Sequence, residues 1–210
     1  MKAEKFFSVQ EKAEIAESVR QVELQTSGEV VVMLVDESDT YPEGRILAGG
    51  ALGGVLALVV CEAFLAASLW WFVPLALGLI ALCGWLIVYI PSGLRLFVHP
   101  AKLEQRVVEQ ALLAFYRHGL HHTRDATGVL FFISLFERKV RVMADKGIYE
   151  KITQETLQEY ADNIALGVRN GKAAAAICHE LARAGQILAE HFPIKPDDTN
   201  ELSNEVIVGR

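Results

Sequence analysis

One uninterrupted apolar block constrains this chain more than any other feature. From Ile46 to Ile90 the single charged residue is Glu62. A membrane-spanning helix needs about 20 apolar residues. The block holds 45, enough for two spans and too many for one. Divided near Ser68, it predicts a transmembrane hairpin with spans at 46–66 and 69–90. Trp70 and Trp71 fall at the joint, where amphipathic rings favour the membrane interface. Tyr89 and Pro91 close the second span, and Pro74 falls in its first turn, where a missing N–H costs least. Gly49, Gly50, Gly53 and Gly54 give the first span a small-residue face suited to close helix packing. Glu62 reads either as an ion-path residue or as a group that reaches water near the far interface; the second is the simpler reading.

The other 165 residues are the size of one ordinary domain. With 52% hydrophobic residues overall, the composition excludes a chain dominated by disorder. The net charge of -6 leaves no basic excess for nucleic-acid binding. Cys61, Cys83 and Cys178 form neither a disulfide framework nor a C-x-x-C pair. The N-terminal stretch lacks the apolar run of a secretory signal, so insertion is expected to use the internal block. A hairpin returns both flanks to one side. Arg45, Arg95, Lys102 and Arg106 lie on that side, and the loop between the spans has no Lys or Arg. The positive-inside rule then predicts a cytoplasmic membrane protein with both soluble segments in the cytoplasm.

The soluble segments, 1–45 and 91–192, read as one split domain, with 193–210 as a mobile tail. Ser8 and Glu11 form a capping box ahead of a helix over 8–26, with Ala13, Ala16, Val19 and Val22 as its periodic residues. The β-branched run Glu29–Asp36 suits a strand buried on both faces. Pro100 opens a second helix whose residues Leu103, Val107, Ala111 and Phe115 face a core. Gly128–Phe136 and Lys139–Asp145 read as strands joined by a tight turn at Glu137 and Arg138. Helices over 153–169 and 172–191 follow, and Glu205–Val208 is short enough to dock as a further strand. The expected fold is an α/β/α sandwich with a small mixed sheet, interrupted by the hairpin.

Several local motifs carry a resemblance. They are Ser27-Gly28-Glu29-Val30-Val31-Val32, Asp125-Ala126-Thr127-Gly128, Glu137-Arg138-Lys139-Val140-Arg141-Val142, Gly147-Ile148-Tyr149-Glu150 and Arg169-Asn170-Gly171. In this order they resemble the TPM domain, and the chain looks most like a bacterial membrane subgroup of that family. The resemblance implies an α/β/α sandwich. It also implies two kinds of activity: acid phosphatase, described for some plant members, and non-enzymatic assistance to membrane complexes. The chain departs from the family pattern in carrying Asp145-Lys146 where a Gly-Tyr pair is common, and in its internal hairpin.

Two chemistries can be read from the residues. The hairpin of the second and third strands sets Asp125 beside Asp145 at one sheet edge. A first strand parallel to the third would add Asp36, and Glu150 follows shortly after. Carboxylates at strand ends suit Ca²⁺ or Mg²⁺, which could polarise a phosphoryl group in a weak metal-dependent phosphatase. The plainer reading is that acidic residues are common at turns. No phosphate loop or nucleophile motif is present in the sequence. His118, His121 and His122 with Asp125 offer a zinc reading, against the plainer one of a helix C-terminus that favours His. Lys139 and Arg141 share a strand face and could meet phosphate or lipid headgroups, or simply solvate a turn. The alternative to catalysis is an accessory module held at the bilayer, with a membrane-protein partner or an oligomer through the glycine face. That function is the expected one.

Overall fold

The computed structural model describes residues 2–64, 69–195 and 201–209. The chain divides into two compact units, Met1–Ser38 with Glu104–Arg210, and Asp39–Leu103.

The first unit is built on a four-stranded sheet. Helix α1 (Val9–Glu23) starts at the expected capping box: the Glu11 N–H donates to Ser8 Oγ at 3.2 Å, and the Ser8 N–H donates to Glu11 Oε2 at 2.8 Å. Its buried stripe is Ile15, Val19 and Val22. The expected stripe began at Ala13, which is exposed. Ile15 buries more apolar area per residue than either alanine and sets the helix's rotation. Strand β1 (Glu29–Val35) is buried along its whole length, as its β-branched run predicts.

Strands β2 (Gly128–Ser134) and β3 (Lys139–Ala144) form the expected antiparallel hairpin. The sheet order is β3-β2-β1-β4, with β1 parallel to β2. The fourth strand, β4 (Ile207–Gly209), comes from the segment expected to be mobile and pairs in parallel with β1 at Met33–Val35. Pro193 also bridges to Thr26, and Lys195 pairs with Asp125. Residues 196–200 of that segment lie outside the described residues.

Alternation along the strands splits the core into two layers. Val30, Val32, Leu34, Val129, Phe131 and Ile133 face α1, α8 (Gln154–Arg169) and α9 (Ala173–His191). Val31, Met33, Val35, Leu130 and Phe132 face Val107, Ala111, Ala114 and Phe115 of α6 (Pro100–Arg117). Leu202 and Ile207 pack against this second layer. Helices on both faces of a mixed sheet are the expected sandwich.

The second unit is mainly the apolar block. Helices α2 (Pro42–Ala48) and α3 (Gly54–Phe64) are joined through a π-helical turn at Gly49–Gly53. They pack on α4 (Leu69–Leu86), which a 3-10 turn extends to Tyr89. The runs Pro42–Phe64 and Trp70–Tyr89 are long and apolar enough to cross a membrane, with mean hydropathies of 2.0 and 2.3. A Cβ on Gly49 would lie 2.7 Å from Ile80 O, and one on Gly53 would lie 2.5 Å from Ile80 N. Gly84 lies beside Gly49 and the Arg45 carbonyl, so the two runs are antiparallel. Gly50 and Gly54 face open space instead. Thus the four-glycine face divides, and only Gly49 and Gly53 make the close approach inside the hairpin. The joint near Ser68 lies outside the described residues. Short helix α5 (Pro91–Leu96) follows, and its Leu94 packs with Val98 close to Gly44. Lys102 Nζ pairs with Glu43 Oε1 at 2.5 Å.

Candidate functional site

The strand directions decide which candidate carboxylates meet. Because β1 is parallel to β2 and β2 antiparallel to β3, β1 runs opposite to β3. Asp36 therefore lies at the far end of the sheet from Asp125 and Asp145, not beside them. The parallel β1–β2 pair, connected through α6, produces this arrangement; an antiparallel β1 would have produced the other.

At one end, Asp125 and Asp145 are neighbours. The Asp145 N–H donates to Gly128 O at 2.9 Å, and the Gly147 N–H donates to Ala126 O at 3.0 Å. Ala126 takes a left-handed φ of 54° to make this turn. A Cβ on Gly147 would stand 2.9 Å from Asp125 O and 2.7 Å from Ala126 O, so glycine fits this close approach. Both acids already have work. Asp125 Oδ2 pairs with Lys195 Nζ at 2.6 Å. Asp145 caps α7 (Lys146–Tyr149), its Oδ1 accepting the Lys146 N–H at 2.7 Å. Glu150 follows α7 and is exposed.

At the other end, Asp36 accepts the Ala3 N–H and so anchors the chain's first turn. Beside the same strand ends lies a group that sequence reasoning read only as part of a turn. Glu137 is fully buried. Its carboxylate accepts the Ser38 N–H at 2.8 Å and the Ser134 hydroxyl. The Ser38 hydroxyl in turn donates to Ser134 Oγ at 3.1 Å. The signal available in the sequence was the Ser134-x-x-Glu137 spacing across the hairpin turn. With no imidazole bonded to either serine among the described residues, the cluster reads as a tie between two connections rather than an activated nucleophile.

Among the described residues no three His, Cys, Asp or Glu side chains come together in a way that could hold a metal ion. Asp36 stands at the opposite sheet end from Asp125 and Asp145, so the four acids Asp36, Asp125, Asp145 and Glu150 do not converge as one ligand set. The histidines do not supply a zinc site either. The His121 ring meets those of Tyr116 and His122 at a tilt, with ring centroids 4.8 and 3.8 Å away. The His118 imidazole is held below its usual range, first by burial and then by the Arg117 charge.

The basic strand residues are also engaged. Lys139 pairs with Glu104 of α6, and Arg141 Nη1 donates to Gln158 Oε1 at 3.2 Å. The shallow groove beside Arg141 is lined by Glu155, Glu159 and Asp162, an acidic surround that opposes an anion.

Residues 91–187 match the TPM domain. The matched stretch runs from α5 through most of α9. The TPM match thus leaves out α1, β1 and β4, which complete the same sheet and core. Motifs 125–128, 137–142, 147–150 and 169–171 fall inside it, whereas Ser27–Val32 falls outside. The NMR structure of BA42 protein from the psychrophilic bacterium Bizionia argentinensis sp. nov. is similar over 99% of each chain, with a TM-score of 0.62 and 20% identity. That likeness establishes a shared fold. No curated protein matches the sequence.

Proposed function

We propose that this chain is a membrane-anchored TPM-domain protein acting as a non-enzymatic accessory module for a membrane complex. The observation that carries the reading is the unit Asp39–Leu103, inserted between β1 and the helix that leads into β2. Its apolar side chains are displayed, not buried: Val55, Leu58, Trp70 and Trp85 are each more than half exposed. Continuous apolar surface of this kind is stable in lipid rather than in water. Arg45, Arg95 and Lys102 flank the spans, which favours a cytoplasmic position for the other unit.

Two features support an accessory role over catalysis. The candidate carboxylates Asp36, Asp125 and Asp145 each serve a structural bond within the chain. In addition, Leu112, Leu113 and Tyr116 form an exposed apolar strip on α6, suited to a protein partner.

The test combines location and turnover. Membranes containing the full chain are washed with alkaline carbonate, and the chain is expected to stay in the pellet. A cysteine replacing exposed Glu150 is expected to react with an impermeant maleimide only after cells are opened. The detergent-purified protein is assayed on p-nitrophenyl phosphate with Mg²⁺ or Ca²⁺, and no turnover above the Asp125→Ala, Asp145→Ala double variant is expected. Turnover that this double variant loses would establish the metal-dependent phosphatase instead.

A further inference from the structure

The segment Glu201–Gly209 closes the sheet, and two of its polar contacts run to acids, while Glu201 Oε1 also accepts the Arg124 N–H at 3.4 Å. The Glu201 N–H donates to Glu29 Oε1 at 3.0 Å, and the Asn204 side-chain amide donates to Glu23 Oε2. Glu23 Oε1 accepts the Val30 N–H at 3.1 Å. Among the described residues both of the hydrogen-bond partners of Glu23 are therefore uncharged. The segment's apolar side chains divide between the two layers: Val206 and Val208 pack against one, Leu202 and Ile207 against the other. Only Met33–Val35 of β1 pair with β4.

We propose that Glu201–Gly209 is a latch, held on the sheet while the Glu23 carboxyl is protonated and released when it ionises.

The physical reason is the setting of Glu23. Glu29 faces it from β1, and the segment itself brings Glu201 onto Glu29 and carries Glu205. On its own helix, Arg20 is taken by Glu17, with Nη2 to Oε1 at 2.7 Å. Helix α9 packs along α1, and its end lies close by, where Phe192 O accepts the Ser27 N–H. The ionisable groups at that end, Glu190 and His191, are exposed to solvent. Among the described residues, no cation is thus hydrogen-bonded to Glu23 or counts among the charges acting on it. Its carboxyl is pushed up to about 7, chiefly by burial; the Val30 N–H opposes this, the Glu29 charge adds to it, and the Asn204 amide opposes it. The protonated carboxyl keeps both contacts, because an asparagine amide offers a donor and an acceptor. A carboxyl raised in the folded state gives stability that is complete below its ordinary value and lost as pH climbs through 7. Lifting the segment returns Glu23 to water and leaves β1 as an edge strand. The rest of the sheet keeps its pairing.

Hydrogen exchange by mass spectrometry on the full chain in detergent tests this, with protection corrected for the intrinsic pH dependence of exchange. In the wild type, protection over 201–209 is expected to fall by up to about tenfold per pH unit between the ordinary carboxyl range and 7, the slope for one linked proton, and to level off above 7. Protection over β2 is expected to stay flat in the same samples. Glu23→Gln keeps the shape without the titration and is expected to stay protected to pH 8.5. Asn204→Ala, which leaves the core untouched, is expected to lower protection at every pH. The latch is overturned by constant protection in the wild type, by an equal fall in Glu23→Gln, or by a fall that β2 shares.

Discussion

The Glu137 carboxylate accepts the backbone N–H of Ser38 at 2.8 Å, across 99 positions of sequence. This bond ties the β2–β3 turn to the exit of β1, just before the apolar unit begins. Glu137 is fully buried, and its other oxygen accepts from Ser134. Removing the carboxylate leaves both donors in a dry site. Glu137→Ala is expected to lower stability by about 2 kcal/mol or more, the scale of buried bonds to a charged group. Urea unfolding of the two proteins in the same detergent measures it; an unchanged midpoint would show that water replaces the carboxylate.

Gly53 and Gly50 provide an internal comparison within the hairpin. A Cβ at Gly53 would sit 2.5 Å from the Ile80 backbone N, whereas one at Gly50 meets nothing within 4 Å. Gly53→Ala must push two helices apart, an overpacking cost of about 1–3 kcal/mol. Gly50→Ala is expected to be neutral in the monomer. Thermal denaturation in detergent separates the two, and equal effects would contradict this hairpin geometry.

Arg138 sits in the β2–β3 turn with a left-handed φ of 54° and is exposed. An L side chain pays for that conformation and glycine does not, although glycine loses more chain entropy on folding. Arg138→Gly is therefore expected to raise stability by about 0.5–1 kcal/mol, the difference between the two effects. A lower melting temperature would mean that the arginine makes contacts outweighing its backbone strain.

Glu180 is buried on α9 and is bonded by Arg183 Nη1 at 2.9 Å, with Asn163 and His179 as further partners. Arg183 also reaches exposed Glu159 at 2.9 Å and lies 5.4 Å over the Tyr160 ring. Losing Arg183 leaves a carboxylate buried, while losing Glu159 leaves only exposed partners. Arg183→Ala is thus expected to lower the denaturation midpoint clearly more than Glu159→Ala. Comparing the single and double variants checks the order, because the Glu159 effect should nearly vanish once Arg183 is gone.

Sequence by itself determined the elements whose cause is local. The β-branched run of β1, the Ser8–Glu11 capping box, the four-residue stripe of α6, and an apolar block long enough for two helices all follow from side-chain period and backbone chemistry. These rules hold within a few residues of each other, so they survive without knowledge of the rest of the chain. Tertiary structure decided what depends on which strand lies beside which. Asp36 went to the opposite end from Asp125 and Asp145 because β1 pairs in parallel with β2, a choice no residue near Asp36 encodes. Glu137 became a buried tie because Ser38, far away in sequence, arrives with a free N–H. Ile207–Gly209 became a strand because β1 had an open edge and the two core layers had room for Val206, Ile207 and Val208. Each of these outcomes balances local preference against burial by distant partners, and only the assembled sheet supplies those partners.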